Sequence, residues 1–101
     1  MHVAVAWDIN KQVTKERKDE IFKLLREAFG SWKWISPIDG FHIVKIENAD
    51  ERDKIHAAVI EKVKQIPEGA YFVISPAMPS GSNYNGWLPK DWWPKLRERT
   101  S

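Results

Sequence analysis

The sequence predicts an α+β fold built on one antiparallel sheet. Short β-branched and aromatic runs alternate with two longer stretches in which apolar residues recur at helical spacing. The second and third runs are separated by Ser36-Pro37-Ile38-Asp39-Gly40, whose proline and Asp-Gly pair are typical of a turn between antiparallel strands. A chain of 101 residues with this pattern is long enough for a single core, so we expect one domain overall.

The first strand and the first helix are predicted from the N-terminal residues. Residues 2–9 are mainly apolar and rich in valine, and Asn10-Lys11-Gln12 interrupts this run as a loop does. Thr14 is placed to cap a helix, and Gly30 is placed just after its last residue. We therefore predict a helix from about Lys15 to Phe29. Its apolar stripe consists of Ile21, Leu24, Leu25, Ala28 and Phe29.

The remaining elements complete a βαββαβ order. Residues 32–35 and 41–46 predict the two strands of a hairpin, and residues 70–75 predict a fourth strand. A second helix is expected between the third and fourth strands, with its start near Asn48. This order is the split-βαβ pattern, so we expect residues 1–75 to form a ferredoxin-like sandwich with both helices on one face of the sheet.

Apolar residues occupy both faces of the predicted sheet. In the first strand Val5 and Trp7 lie on one face, while Ala4 and Ala6 lie on the other. A sheet with one solvent-facing side alternates with polar residues, so a second layer or a partner subunit is expected to cover the second face. We expect residues 76–101 to supply that layer as an ordered aromatic C-terminal arm, on the chain's own sheet or on a partner's, and we expect a homodimer.

The composition of the C-terminal segment supports this expectation. Residues 76–89 carry no charge and are followed by Trp92 and Trp93, whereas a disordered tail is poor in such residues. Gly86-Trp87-Leu88 is interpreted as an extra strand, and Asp91 as the cap of a short terminal helix.

The overall composition excludes several classes of protein. Cysteine is absent, which excludes disulfides, thiolate catalysis and cysteine-ligated zinc. Charged residues make up 30% of the chain and no apolar run is long enough to span a membrane, so we expect no membrane partner. The start of the chain has no secretory pattern, and we expect a cytoplasmic protein. The net charge of +2 permits binding of nucleic acid without requiring it.

Asp8 is the strongest candidate for chemistry, because it stands at the end of a strand just before a basic helix. A carboxylate in this place can hold a divalent cation such as Mg²⁺, above all if a two-fold axis brings a second copy close to it. Arg17, in the first helical turn, is the candidate catalytic partner that steadies phosphate charge. The alternative is structural: Asp8 caps the turn or pairs with Arg17.

Basic and aromatic residues predict a nucleic-acid surface, with cations neutralising phosphates and a tryptophan stacking on bases. The alternatives are a solvated, ion-paired helix face and ordinary packing of the tryptophan. The predicted contact residues for RNA or DNA are Lys11, Lys15, Lys18, Trp92, Lys95, Arg97 and Arg99.

Two other functions are compatible with the same sequence. One is a non-catalytic protein-interaction module, such as a phage or plasmid accessory factor, whose aromatic tail binds another protein. The other is a small-molecule enzyme that uses His42 in a pocket between sheet and tail. A pocket containing His42 would favour the enzyme, a groove with paired Asp8 side chains would favour a nuclease, and a flat aromatic surface would favour a protein partner.

The pattern also resembles a known family. A first strand ending in Trp7-Asp8-Ile9, an arginine in the first turn of the next helix, then Leu24-Leu25 and Phe29-Gly30, is similar to the small CRISPR-associated protein 2 family and, more loosely, to the virulence-associated protein D toxins. The resemblance implies a homodimer in which Asp8 of each subunit flanks a Mg²⁺ site for phosphodiester cleavage, or a structural bridge that holds DNA. The second strand and the stretch before the fourth depart from the family pattern, which bears on catalysis more than on fold.

Overall fold

The computed structural model describes residues 1–80 and 84–100. The described residues form four strands, three α-helices and one short 3₁₀ helix. In chain order these are β1 (His2–Ile9), α1 (Lys15–Arg26), the 3₁₀ helix (Glu27–Phe29), β2 (Trp34–Ile38), β3 (Phe41–Lys45), α2 (Asp50–Val63), β4 (Ala70–Ile74) and α3 (Trp92–Thr100). The α+β class is confirmed.

The four strands form one antiparallel sheet in the order β2-β3-β1-β4. The central strand β1 pairs with β3 on one side, where Val5 lies opposite His42, and with β4 on the other, where Asp8 lies opposite Tyr71. This register decides which side chains share a face. The strand order makes β2 and β4 the edge strands.

Local signals position α1 and the β2–β3 hairpin. Thr14 Oγ1 accepts a hydrogen bond from the backbone N–H of Arg17 at 3.1 Å, so the predicted helix cap is confirmed. Gly40 has a φ of 81°, and a Cβ at this position would lie 2.7 Å from the Trp7 carbonyl oxygen, so the turn requires glycine. The strand β2 begins at Trp34, two residues later than predicted. The reason is that the Trp32 N–H donates to the Phe29 carbonyl, so the turn that follows α1 extends to Trp32.

The core lies between one face of the sheet and the helices α1 and α2. Val3, Val5 and Trp7 of β1 point into it, since every second residue of a strand shares a face. The helices and the 3₁₀ helix contribute Ile21, Phe22, Leu25, Ala28, Phe29, Ile55 and Val59. This apolar layer holds the end of β1 in place, and with it Asp8.

The opposite face of the sheet is covered only in part. The helix α3 packs on β2 and β3, and its Leu96 is buried. Upstream of α3, Met78 exchanges two backbone hydrogen bonds with His2 at 3.0 and 2.8 Å. The extra strand predicted at Gly86-Trp87-Leu88 is wrong, because these residues have no sheet partner in the described chain and lie beside the sheet face instead. The predicted arm also includes residues 81–83 and 101, which lie outside the described residues.

The β1–β4 side of this face stays open. Val73 is 72% exposed and Tyr71 is 55% exposed, and Ala6 beside them is also exposed. We call these three residues the open patch. No helix in the described part of the chain is long and apolar enough to cross a membrane.

Candidate functional site at the end of the first strand

Asp8 is an exposed carboxylate at the C-terminal end of β1. Its Oδ1 accepts a hydrogen bond from the N–H of Ile9 at 2.8 Å, and Asp8 makes no ion pair within the described residues. The other carboxylate oxygen has no hydrogen-bond partner among the described residues, and Asp8 lines a depression of about 290 Å³. The residues that line the depression are Asp8, Ile9, Asn10, Lys11, Gln12, Val13 and Lys18. Asp8 therefore has a local backbone contact and a free oxygen for a ligand.

Arg17 lies in a different set of contacts from the predicted one. Its Nε donates to Glu68 Oε2 at 2.6 Å, its Nη2 to Glu68 Oε1 at 2.9 Å, and its Nη1 to Glu20 Oε2 at 3.1 Å. The two-pronged contact lowers the pKa of Glu68 to about 2 and raises the pKa of Arg17. Arg17 thus ties α1 to the turn before β4, and the predicted pairing with Asp8 is not observed among its described contacts.

Sequence reasoning missed Glu68 as the partner of Arg17. The available signal was its place in Pro67-Glu68-Gly69, a turn that leads into the strand beside β1. Because both carboxylates occupy the guanidinium, we assign Arg17 a structural role and leave it out of the proposed chemistry.

The predicted phosphate contacts fall into two groups on separate elements. Lys11, Lys15 and Lys18 lie on α1 and the loop before it, and the cations of the second group lie on α3. Most of them are ion-paired at the surface: Lys15 with Asp19, Lys18 with Asp39, Lys95 with Asp91, and Arg99 with Glu98. Such pairs contribute little free energy, so a phosphate can displace them.

Lys11 and Arg97 make no ion pair within the described residues and are exposed. Trp92, the predicted stacking residue, instead lies 5.0 Å from the ammonium of Lys95 in a cation–π contact. One face of the indole is therefore already partnered within α3. The two free cations are the best-placed of the predicted residues to meet phosphate.

His42 is fully buried on the helix side of the sheet. Its Nδ1 donates to the Val5 carbonyl at 3.2 Å, and its ring lies 4.0 Å from that of Trp7 and 5.3 Å from that of Phe29. Burial lowers the pKa of His42 to about 4, with the Arg26 charge acting in the same direction. The ring is thus a neutral member of an aromatic core.

The predicted placement of His42 in a pocket between sheet and tail is wrong. Such a cleft exists, with a volume of about 270 Å³, but His42 projects from the other face of β3. The residues that line it are Pro37, Ile38, Phe41, Tyr84, Asn85, Gly86, Trp87, Leu88, Trp93 and Leu96. The small-molecule enzyme alternative therefore loses its proton donor.

The fit of Mg²⁺ to this chain depends on a second copy. Within the described residues no three His, Asp or Glu side chains form a group that could hold a metal ion. Mg²⁺ in proteins is usually held by one or two carboxylates and several waters. One Asp8 supplies a single carboxylate, whereas two copies would supply a pair.

The position of Asp8 relates it to the open patch. Asp8 lies opposite Tyr71 in the β1–β4 register, and Ala6 is two residues earlier on the same face. A shallow depression of about 220 Å³ is lined by both the open patch and Asp8. The carboxylate therefore stands at the rim of the uncovered apolar surface.

No protein-family model matches this chain, and no curated protein matches it.

Proposed function

We propose that the chain is a nucleic-acid-binding protein of ferredoxin-like architecture that acts as a homodimer, with a metal-dependent nuclease site formed by Asp8 of both copies. The observation that carries this proposal is the position of Asp8 at the rim of the open patch. The strand order β2-β3-β1-β4 and the helix pair on one face support the architecture.

The open patch supports the homodimer. A monomer that leaves Val73 and Tyr71 in water exposes apolar side chains on a flat sheet face beside an edge strand. Two-fold contacts are the commonest way to bury such a surface against a second copy. In this arrangement the patches face each other and the two Asp8 carboxylates approach across the axis.

In the proposed dimer, the two Asp8 side chains would form the nuclease site. They would hold Mg²⁺, which supplies positive charge to a scissile phosphodiester and lowers the pKa of a bound water. Lys11 and Lys18 line the depression beside Asp8, where they attract and position the phosphate backbone. The same two lysines offset the repulsion between Asp8 and the phosphate.

Replacing Val73 by lysine is expected to dissociate the dimer. The new charge would be desolvated against the partner's apolar surface, so we expect the dimer dissociation constant to rise at least tenfold, which corresponds to a loss of about 1.4 kcal/mol in dimer stability. Sedimentation equilibrium over a concentration series measures it. The control is Ile38→Lys, which changes another exposed apolar residue, 60% exposed, on the opposite edge strand. A dimer that persists in Val73→Lys, or a monomeric wild type, contradicts the proposal.

Nucleic-acid binding is expected to weaken steeply as salt concentration rises, because released counterions drive it. Lys11→Ala should lower the slope of log affinity against log salt by about one, since one phosphate contact is lost. Lys54→Ala removes an equal charge from α2 and should leave the slope unchanged. Fluorescence anisotropy with single- and double-stranded probes measures these slopes. Absence of binding at low salt would favour the protein-interaction module.

A further inference from the structure

The cleft between β2, β3 and the C-terminal segment has the properties of a small binding site. Phe41, Trp87 and Trp93 contribute aromatic rings to it, and none of its lining residues carries a charge. At about 270 Å³ it is smaller than sites for drug-sized ligands, which start near 300 Å³. The size of the cleft is thus suited to one uncharged ring system.

Trp87 is the exposed wall of this cleft. The residue is 99% exposed, the highest value among the large apolar residues of the described chain. Trp87 extends the apolar lining of the cleft into solvent, and contiguous exposed apolar surface of this kind marks binding sites. Because the flat face of an indole binds another flat ring by stacking, the partner's chemistry is aromatic and planar.

Two further residues define the polar side of the cleft. The Tyr84 hydroxyl is already occupied, 2.6 Å from His2 Nε2, so this residue offers its ring rather than a hydrogen bond. The amide of Asn85 has no hydrogen bond to any described residue. An amide carries both a donor and an acceptor, as does the edge of a nucleobase.

The charges around the cleft complement phosphate. Residues 84–100 contain four cations and two anions, and the two anions pair with Lys95 and Arg99. Lys90 and Arg97 remain exposed, with no ion pair in the described chain. Lys90 lies on the turn before α3, two residues after the cleft residue Leu88, and Arg97 lies on α3 directly after the cleft residue Leu96.

We infer that this cleft binds one unpaired nucleobase of single-stranded nucleic acid, which stacks on Trp87 while Lys90 and Arg97 contact the flanking phosphates. The inference rests on the proposed function, because it names the form of nucleic acid bound. It also moves the stacking residue from Trp92 to Trp87. A base in a duplex cannot enter, since both of its faces are already stacked.

The test compares two strands and two variants. The strands are a labelled oligothymidylate and an abasic strand of the same length, which retains the phosphates without the bases. Trp87→Leu keeps an apolar side chain without an aromatic face, and Trp87→Phe keeps the ring. Because Trp87 is exposed, both variants are expected to fold as the wild type does.

We expect Trp87→Leu to weaken oligothymidylate binding by about 5- to 150-fold, the range of one stacked base, while Trp87→Phe retains most of the affinity. Binding of the abasic strand should be the same in all three proteins. If Trp87→Leu binds oligothymidylate as tightly as the wild type does, the inference fails while the proposed function stands. If neither strand binds at low salt, both fail. If Trp87→Leu instead changes only the dimer dissociation constant, the cleft holds a second copy and the inference is wrong.

Discussion

Asp8→Asn is expected to reduce Mg²⁺-dependent phosphodiester cleavage at least about a hundredfold, a loss typical of removing one charged stabilising group from a site. The substitution removes the negative charge at nearly constant shape. Its amide oxygen can still accept the hydrogen bond from the Ile9 N–H, so the loop conformation should persist. Cleavage of labelled RNA and DNA strands, assayed with Mg²⁺ or Mn²⁺, measures the effect.

The matched control is Asp19→Asn. Asp19 is also an exposed aspartate near the start of the chain, but it pairs with Lys15 on α1 and lies outside the Asp8 depression. This variant should cleave as the wild type does, and both variants should keep the wild-type circular dichroism and sedimentation. Cleavage that survives Asp8→Asn, or that survives excess chelator, contradicts the proposed site. A wild type that cleaves neither RNA nor DNA with either metal also contradicts it.

Acidification is expected to destabilise the protein through His42. Burial lowers its pKa from 6.5 to about 4, so between these two values the unfolded state binds a proton that the folded state does not. The free energy of unfolding therefore rises with pH across this window. The His42 contribution is complete above pH 6.5, and about 3 kcal/mol of it is lost by pH 4.

Surrounding charges modify this titration without reversing it. Arg26 lowers the pKa of His42 further, while Asp39 and the Val5 carbonyl raise it. His2, buried under the C-terminal segment, also has a lowered pKa and adds to the same acid-side loss. The total slope therefore exceeds that of His42 alone, so single variants are needed to separate the two histidines.

Urea unfolding at a series of pH values tests this expectation. In the middle of the window, unfolding of the wild type should take up about one more proton than unfolding of His42→Leu. Its free energy of unfolding should therefore fall by about 1.4 kcal/mol more for each pH unit of acidification. The difference in slope is informative whatever the absolute stability of the variant. Parallel curves for wild type and His42→Leu, or an imidazole of His42 that titrates near pH 6.5 by NMR, contradict it.

Several local features could be predicted from the sequence because they depend on neighbouring residues. Thr14 caps α1 through a backbone N–H three residues later, and Gly30 and Gly40 adopt positive φ values that favour glycine. The two-sided apolar pattern of β1 also predicted a second layer. In the structure α3 supplies part of that layer by packing on β2 and β3.

Long-range contacts could not be predicted in the same way. Arg17 and Glu68 are 51 residues apart, and the β1–β4 pairing brings the start of α1 close to the turn before β4. His42 and Phe41 are adjacent in sequence, yet they lie on opposite faces of β3, so the cleft contains Phe41 and excludes His42. A one-residue shift in register would exchange these roles.

By itself, the sequence determined the α+β class, the helix start at Thr14 and the place of Asp8 at a strand end, since periodicity, capping and turn chemistry act within a few residues. Only the tertiary structure decided that Arg17 is bound to carboxylates, that His42 is buried in the aromatic core, and that Trp87 stays exposed over a cleft. The first two depend on strand pairing and register, which bring Glu68 to Arg17 and turn His42 toward the core. The exposure of Trp87 depends on how α3 and the segment before it cover the opposite face of the sheet. Such coverage is set by the packing of distant segments, because burial of apolar area is not directional and leaves no local pattern in the chain.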